Sequence, residues 1–122
     1  MTDQHWFAAP AGPPPAGAAD SPARIAELRD VIDRLDQRII ALLAERTRVV
    51  QELTAHKTDE ATVRSPDRVR QVLDRVSDLA TRHGMPSEVA VGTYRALIDE
   101  LTRMQLDMLA ARRAAASPGE ER

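Results

Sequence analysis

The sequence predicts an all-α fold: three helices, one of them very long, in an intertwined homodimer. Three observations predict it. Aromatic residues are only 2% of the 122-residue chain, and Trp6 and Phe7 both fall in the first ten positions. The core must therefore come from Leu, Ile, Val, Ala and Met, with Tyr94 as its aromatic, a palette that favours helices over sheets. Apolar positions recur in steps of three and four along three segments. Finally, the first segment is too long for the other two to cover, and a second copy of the chain is the simplest way to bury its apolar stripe.

The first helix has a clean start. Asp20 or Ser21 can cap it, and Pro22 suits the first helical position. Its apolar residues are Ile25, Leu28, Ile32, Leu35, Ile39, Leu42, Val49 or Val50, and Leu53, a coiled-coil-like spacing. An end near Lys57 gives a rod roughly 50 Å long. "TDEATVRSPD" reads as a polar loop. Ser65 is the expected N-cap and Pro66 the first residue of the second helix, which carries Val69, Val72, Leu73, Val76, Leu79 and Ala80. "HGMPS" stops it, with Gly84 at the C′ position and Pro86 just beyond. Ser87 is expected to cap the third helix, whose stripe is Val91, Tyr94, Leu97, Ile98, Leu101, Met104 and Met108. It fades into "AARRAAASPGEER", read as a frayed polar end. The domain reading is a disordered Pro/Ala/Gly-rich tail over 1–21 that includes "HWF" at 5–7, a helical domain over 22–113, and a disordered C-terminal tail over 114–122.

Composition removes several function classes. A net charge of −2 carries no electrostatic signature of nucleic-acid binding. The absence of cysteine excludes disulfides, thiolate metal sites and a Cys nucleophile. No apolar run approaches the ~20 residues that span a bilayer. "MTDQHWFAAPAG" lacks the basic and apolar regions of a secretory signal. A cytoplasmic protein with no nucleic-acid or membrane partner is expected. His5, His56 and His83 have no metal-ligand spacing, and there is no nucleophile–base pair or phosphate-binding loop. Neither a metal nor a cofactor is expected, and any chemistry must rest on positioning and electrostatics.

Polar residues on apolar faces are the candidates for that chemistry. Arg46 stands where the stripe calls for Leu, and Lys57 follows eleven residues later. On an ideal helix that step turns the direction by about 20°, so the two share a face with Cα atoms roughly 16 Å apart. Two long cationic side chains so placed can hold a small dianion. Alternatively they lay their stems on apolar surface with wet heads, or pair with Glu45 and Glu52. Lys57 also suits the negative end of a helix dipole. Arg29 points about 100° away from Arg46 and sits beside Asp33 in an i,i+4 relation, which reads as a surface ion pair. Arg68 opens the second helix, where a positive charge opposes the dipole. Gln105 lies beside the third stripe, and a half-buried amide there needs partners.

"LRDVIDRLDQRIIALLAER", then Lys57, then "SPDRV" and "GTYRALIDELTRMQ" together resemble the all-helical chorismate mutase family over about residues 22–110. The resemblance implies an intertwined dimer with two equivalent sites and a chorismate-type substrate, a cyclohexadiene with two carboxylates and an enolpyruvyl ether. It implies that Arg46, and Arg29 of the partner subunit, bind the carboxylates. Lys57 and Gln105 would hydrogen-bond the ether oxygen, and Arg68 would lie at the edge of the site. The chain departs from the family at two site positions. Typical mutases have Glu after the arginine of helix 2, where this chain has Val69, and often Ser four residues before the Gln, where it has Leu101. The Lys57–Arg68 loop also looks a residue shorter. Arg68–Val69 and the loop resemble the isochorismate-pyruvate lyases of the same fold, which release pyruvate from isochorismate to leave salicylate. Aminodeoxychorismate mutases look similar around Arg68–Val69 but differ at the Gln. The resemblance thus implies a chorismate mutase first, the lyase second and the aminodeoxychorismate mutase third. A non-catalytic regulatory helical dimer is the reading from another class.

Overall fold

The structure is a computed structural model that describes residues 21–116. Four helices follow one another: α1 (Pro22–Thr54), α2 (Glu60–Arg64), α3 (Pro66–Arg82) and α4 (Ser87–Ala116). No strand occurs among the described residues, so the fold is all-α, as the composition predicts. The three long helices are the expected ones. The fourth is a five-residue turn of helix inside the segment read as a polar loop.

The N-terminal tail through residue 20, with "HWF" and the candidate cap Asp20, and residues 117–122 lie outside the described residues. At its other end the domain is longer than expected. α4 runs through residues 114–116, because "AARRAAA" is made of strong helix formers.

The chain divides into two units, Met1–Arg46 and Thr47–Arg122. In the first, α1 is helical without interruption. Ser21 starts it: its Oγ accepts from the Arg24 N–H at 3.4 Å and its carbonyl from the Ile25 N–H at 3.0 Å. The expected Arg29–Asp33 ion pair does not form; an ion pair in this stretch joins Arg24 and Glu27 at 3.4 Å. The apolar stripe lies uncovered within a single chain, with Ile32, Ile39 and Leu42 at 54%, 51% and 64% exposed.

The second unit holds the end of α1 and the other three helices. Its core is formed where α3 and α4 pack: Val72, Val76, Ala80 and Ala90 are buried, with Met85, Tyr94 and Ile98 against them. Leu79, expected in the α3 stripe, stays on the exposed side. On α4 the buried line is Ala90, Leu101, Gln105 and Leu109, whereas Val91, Met104 and Met108 are only half-buried. The buried face is therefore turned slightly from the predicted stripe, which puts Gln105 on the face rather than beside it.

Local chemistry explains the junctions. Asp59 accepts from the backbone N–H and hydroxyl of Thr62, both at 2.8 Å, and so caps α2. These bonds hold its carboxyl below the ordinary value of 3.8. Val63, 4% exposed, anchors the short helix. Ser65 occupies the N-cap position of α3, but its side chain makes no capping bond. Its backbone is left-handed, with φ at 34°, because its N–H closes α2 on the Ala61 carbonyl while its own carbonyl starts α3. Gly84, with φ at 75°, ends α3 as predicted. The Gly84 N–H donates to the Thr81 carbonyl, and the Met85 N–H to the Ala80 carbonyl, the paired pattern of a Schellman ending. Ser87 does not precede α4 but is its first residue, and the Pro86 carbonyl accepts the first bonds, from Val89 and Ala90.

Candidate active site

The end of α1 builds the centre of the site. The helix stops at Thr54, three residues before Lys57, so the helical register used to place Lys57 does not extend to it. The last turn tightens instead. The His56 N–H donates to the Leu53 carbonyl and the Lys57 N–H to the Thr54 carbonyl, both at 3.0 Å and both spanning three residues. Thr54 is fully buried. A β-branched hydroxyl in that setting needs an internal partner, and Thr54 Oγ1 lies 2.7 Å from the Val50 carbonyl and 2.9 Å from Gln105 Oε1.

Lys57 Nζ donates to that same Gln105 Oε1 at 2.9 Å. An ammonium only donates, so it selects the oxygen end of the amide. All the bonds of Gln105 fall on Oε1. No buried side-chain nitrogen or oxygen among the described residues lacks a partner, so the Nε2 donors of Gln105 are reached by solvent. The result is a pair of adjacent donors, an ammonium with two further protons and a carboxamide NH₂. Partial burial holds the Lys57 ammonium below its ordinary value of 10.5, because desolvation disfavours the charge. An anion arriving at these donors reverses that cost.

Other predicted residues take distinct places. Leu101 is buried on α4, one turn before Gln105. Val69 is half-buried in the first turn of α3. Arg68 beside it is exposed and donates to Gln71 Oε1 at 3.4 Å. In the first unit, Arg46 is half-buried and Arg29 exposed on α1. These two arginines are seventeen positions apart, roughly 25 Å along the rod.

Sequence reasoning missed two contributors, Thr54 and Arg112, and a neighbouring backbone contact outside the site made by Arg113. Thr54 was hidden as one more residue of the helix. Arg112 and Arg113 were hidden in the run read as frayed. Arg112 donates through Nη1 to the Thr54 carbonyl at 3.2 Å and through Nη2 to the Lys57 carbonyl. Arg113 donates to the Thr58 carbonyl at 2.7 Å. One signal was available: Arg112 follows Gln105 by seven residues, two helical turns, and so shares its face.

Residues 28–106 match the family described as chorismate mutase type II. The chain belongs to that family. The matched region contains Lys57 and Gln105 together with Arg29, Arg46, Arg68, Val69 and Leu101. Two relatives lie on either side of the mutase–lyase distinction. A chorismate mutase of Methanocaldococcus jannaschii is 25% identical over 87 residues, covering 70% of this chain and 88% of that protein. An isochorismate pyruvate lyase of Pseudomonas aeruginosa is 28% identical over 74 residues, covering 61% of this chain and 73% of that protein. In this chorismate mutase type II chain, Arg112 and Arg113 lie beyond the matched region, which ends at Leu106.

Proposed function

We propose that the chain is a chorismate mutase that converts chorismate to prephenate by a Claisen rearrangement, acting as a cytoplasmic homodimer without metal or cofactor. The observation that carries this reading is the Lys57–Gln105 pair, 2.9 Å apart in a chain of this family. In the rearrangement the enolpyruvyl C–O bond breaks as a C–C bond forms, and the ether oxygen gains negative charge. Lys57 Nζ has protons to spare, and Gln105 Nε2 is free to donate. Both suit that oxygen, and donors placed in advance stabilise such charge most effectively. Arg46 and Arg29 of the partner subunit hold the two carboxylates, folding the flexible substrate into its reactive conformer. The ~25 Å between the two arginines on one α1 supports drawing the second from the partner. Arg68 stands at the edge of the site, and Val69 and Leu101 line it. No described helix is long and apolar enough to cross a membrane.

The dimer is supported by the uncovered α1 stripe, where Ile25 through Leu53 expose large side chains at heptad spacing. Sedimentation of the wild-type chain is expected to give a dimer, and Ile32→Asp with Ile39→Asp a monomer that loses helicity. A wild-type chain that sediments as a monomer at every concentration contradicts the proposal.

A second reading, isochorismate-pyruvate lyase, is favoured by Val69 and by the Pseudomonas aeruginosa relative. Separate incubations with chorismate, isochorismate and aminodeoxychorismate, with the products identified, test the assignment. Prephenate from chorismate is expected; salicylate and pyruvate from isochorismate alone overturn it. Val69→Glu restores the carboxylate typical of the family near the ring hydroxyl. It is expected to raise mutase kcat/KM by about tenfold, the worth of one hydrogen bond to a charged group. An unchanged value shows that Val69 does not limit the reaction.

A further inference from the structure

We propose that Arg112 is a positioning residue for Lys57, its guanidinium tying the turn after α1 to α4 and so holding the Lys57 amine against Gln105. The clamp stands on geometry; its catalytic consequence rests on the mutase reading above.

Lys57 lies outside any helix, where no i→i−4 ladder fixes its backbone. The last carbonyls of α1 are the orphan acceptors that every helix end leaves. Arg112 forks across two carbonyls with one planar group: Nη1 on Thr54, the final residue of α1, whose carbonyl also accepts from the Lys57 N–H, and Nη2 on Lys57 itself, beyond the helix. These two carbonyls bracket the tightened turn. Arg113 takes the next acceptor, on Thr58. Arg112 and Gln105 stand on one face of α4, about 10 Å apart along the axis. Both the backbone and the amine of Lys57 are therefore referenced to the same rigid helix. The positive guanidinium also sits at the negative end of α1. A lysine in place of Arg112 keeps that charge but cannot fork between two carbonyls.

The test uses the full-length chain. Arg112→Gln is expected to lower kcat about 10- to 100-fold with KM little changed, the cost of a small misplacement of a reacting donor. Arg112→Lys is expected to recover little of it. Arg113→Gln, which frees only Thr58, is expected to stay within about twofold. On a Lys57→Ala background, which has no donor left to position, Arg112→Gln should cost nothing more, because its effect passes through the Lys57 amine. A full, multiplying loss on that background, or full rescue by Arg112→Lys, overturns the proposal. A second readout needs no turnover: the pH dependence of Lys57 acetylation, followed by mass spectrometry. The wild-type inflection should lie below that of Arg112→Lys, which keeps the positive charge but frees the amine toward the ordinary 10.5. Coincident inflections overturn the clamp. A wild-type chain inactive on every substrate counts against the mutase reading, and the acetylation profile still decides the clamp.

Discussion

Lys57→Ala is expected to lower kcat/KM for prephenate formation by about 10²–10³, the usual loss when one donor to a developing oxyanion is removed. The loss should fall mainly on kcat, because the ether oxygen carries its charge in the transition state rather than in bound chorismate. The same residue sets a pH limit. Desolvation lowers the pKa of Lys57 from 10.5, and the protonated form is the donor. Activity is therefore complete below the lowered pKa and declines as pH rises through it, sooner than for an exposed lysine. Lys57→Gln, which donates but does not titrate, should keep part of the activity and lose that alkaline limb. A limb that persists in this variant assigns it to another group, and a Lys57→Ala enzyme within a few-fold of wild type removes Lys57 from the site.

Arg46→Ala is expected to reduce turnover nearly to background while leaving the helical dimer assembled. Removing one partner from a desolvated, hydrogen-bonded charge pair costs about 2–5 kcal/mol, roughly 30- to 5,000-fold in kcat/KM. Arg46 is half-buried in the α1 stripe, and alanine keeps the helix propensity there. Circular dichroism and sedimentation should match wild type. The expected pattern is a loss shared between KM and kcat, because a carboxylate is held both before and during rearrangement. Survival of activity in Arg46→Ala contradicts the carboxylate role.

Much of this molecule is legible in the chain because its signals are local. The heptads from Ile25 to Leu53 announce α1, Ser65–Pro66 the start of α3, and Gly84 its end. Each rests on one or two turns of backbone chemistry. Legibility declines where the deciding contacts join distant residues. α2 is too short for a periodic signature, and it persists because Asp59 caps it and Val63 finds cover. An amide reads as polar, which sets Gln105 beside the stripe rather than on it. Thr54 and Lys57, both about fifty residues earlier, supply the partners that allow its burial. Arg112 and Arg113 belong to a run that reads as a frayed polar end, and only the fold sets it against the backbone carbonyls of Thr54, Lys57 and Thr58. Arg46, proposed for the site, was visible as a violation of the apolar pattern of α1. The bond that orients Gln105 was not, because its acceptor end is chosen by a lysine 48 positions away in the chain.

The most direct test is a competition. The wild-type chain is given equal concentrations of chorismate and isochorismate, and prephenate, salicylate and pyruvate are followed together, so that the product ratio reports the ratio of kcat/KM values. Prephenate in clear excess, suppressed along with all turnover by Lys57→Ala, is the predicted result. Salicylate and pyruvate as the main products, or neither substrate consumed, contradicts the account.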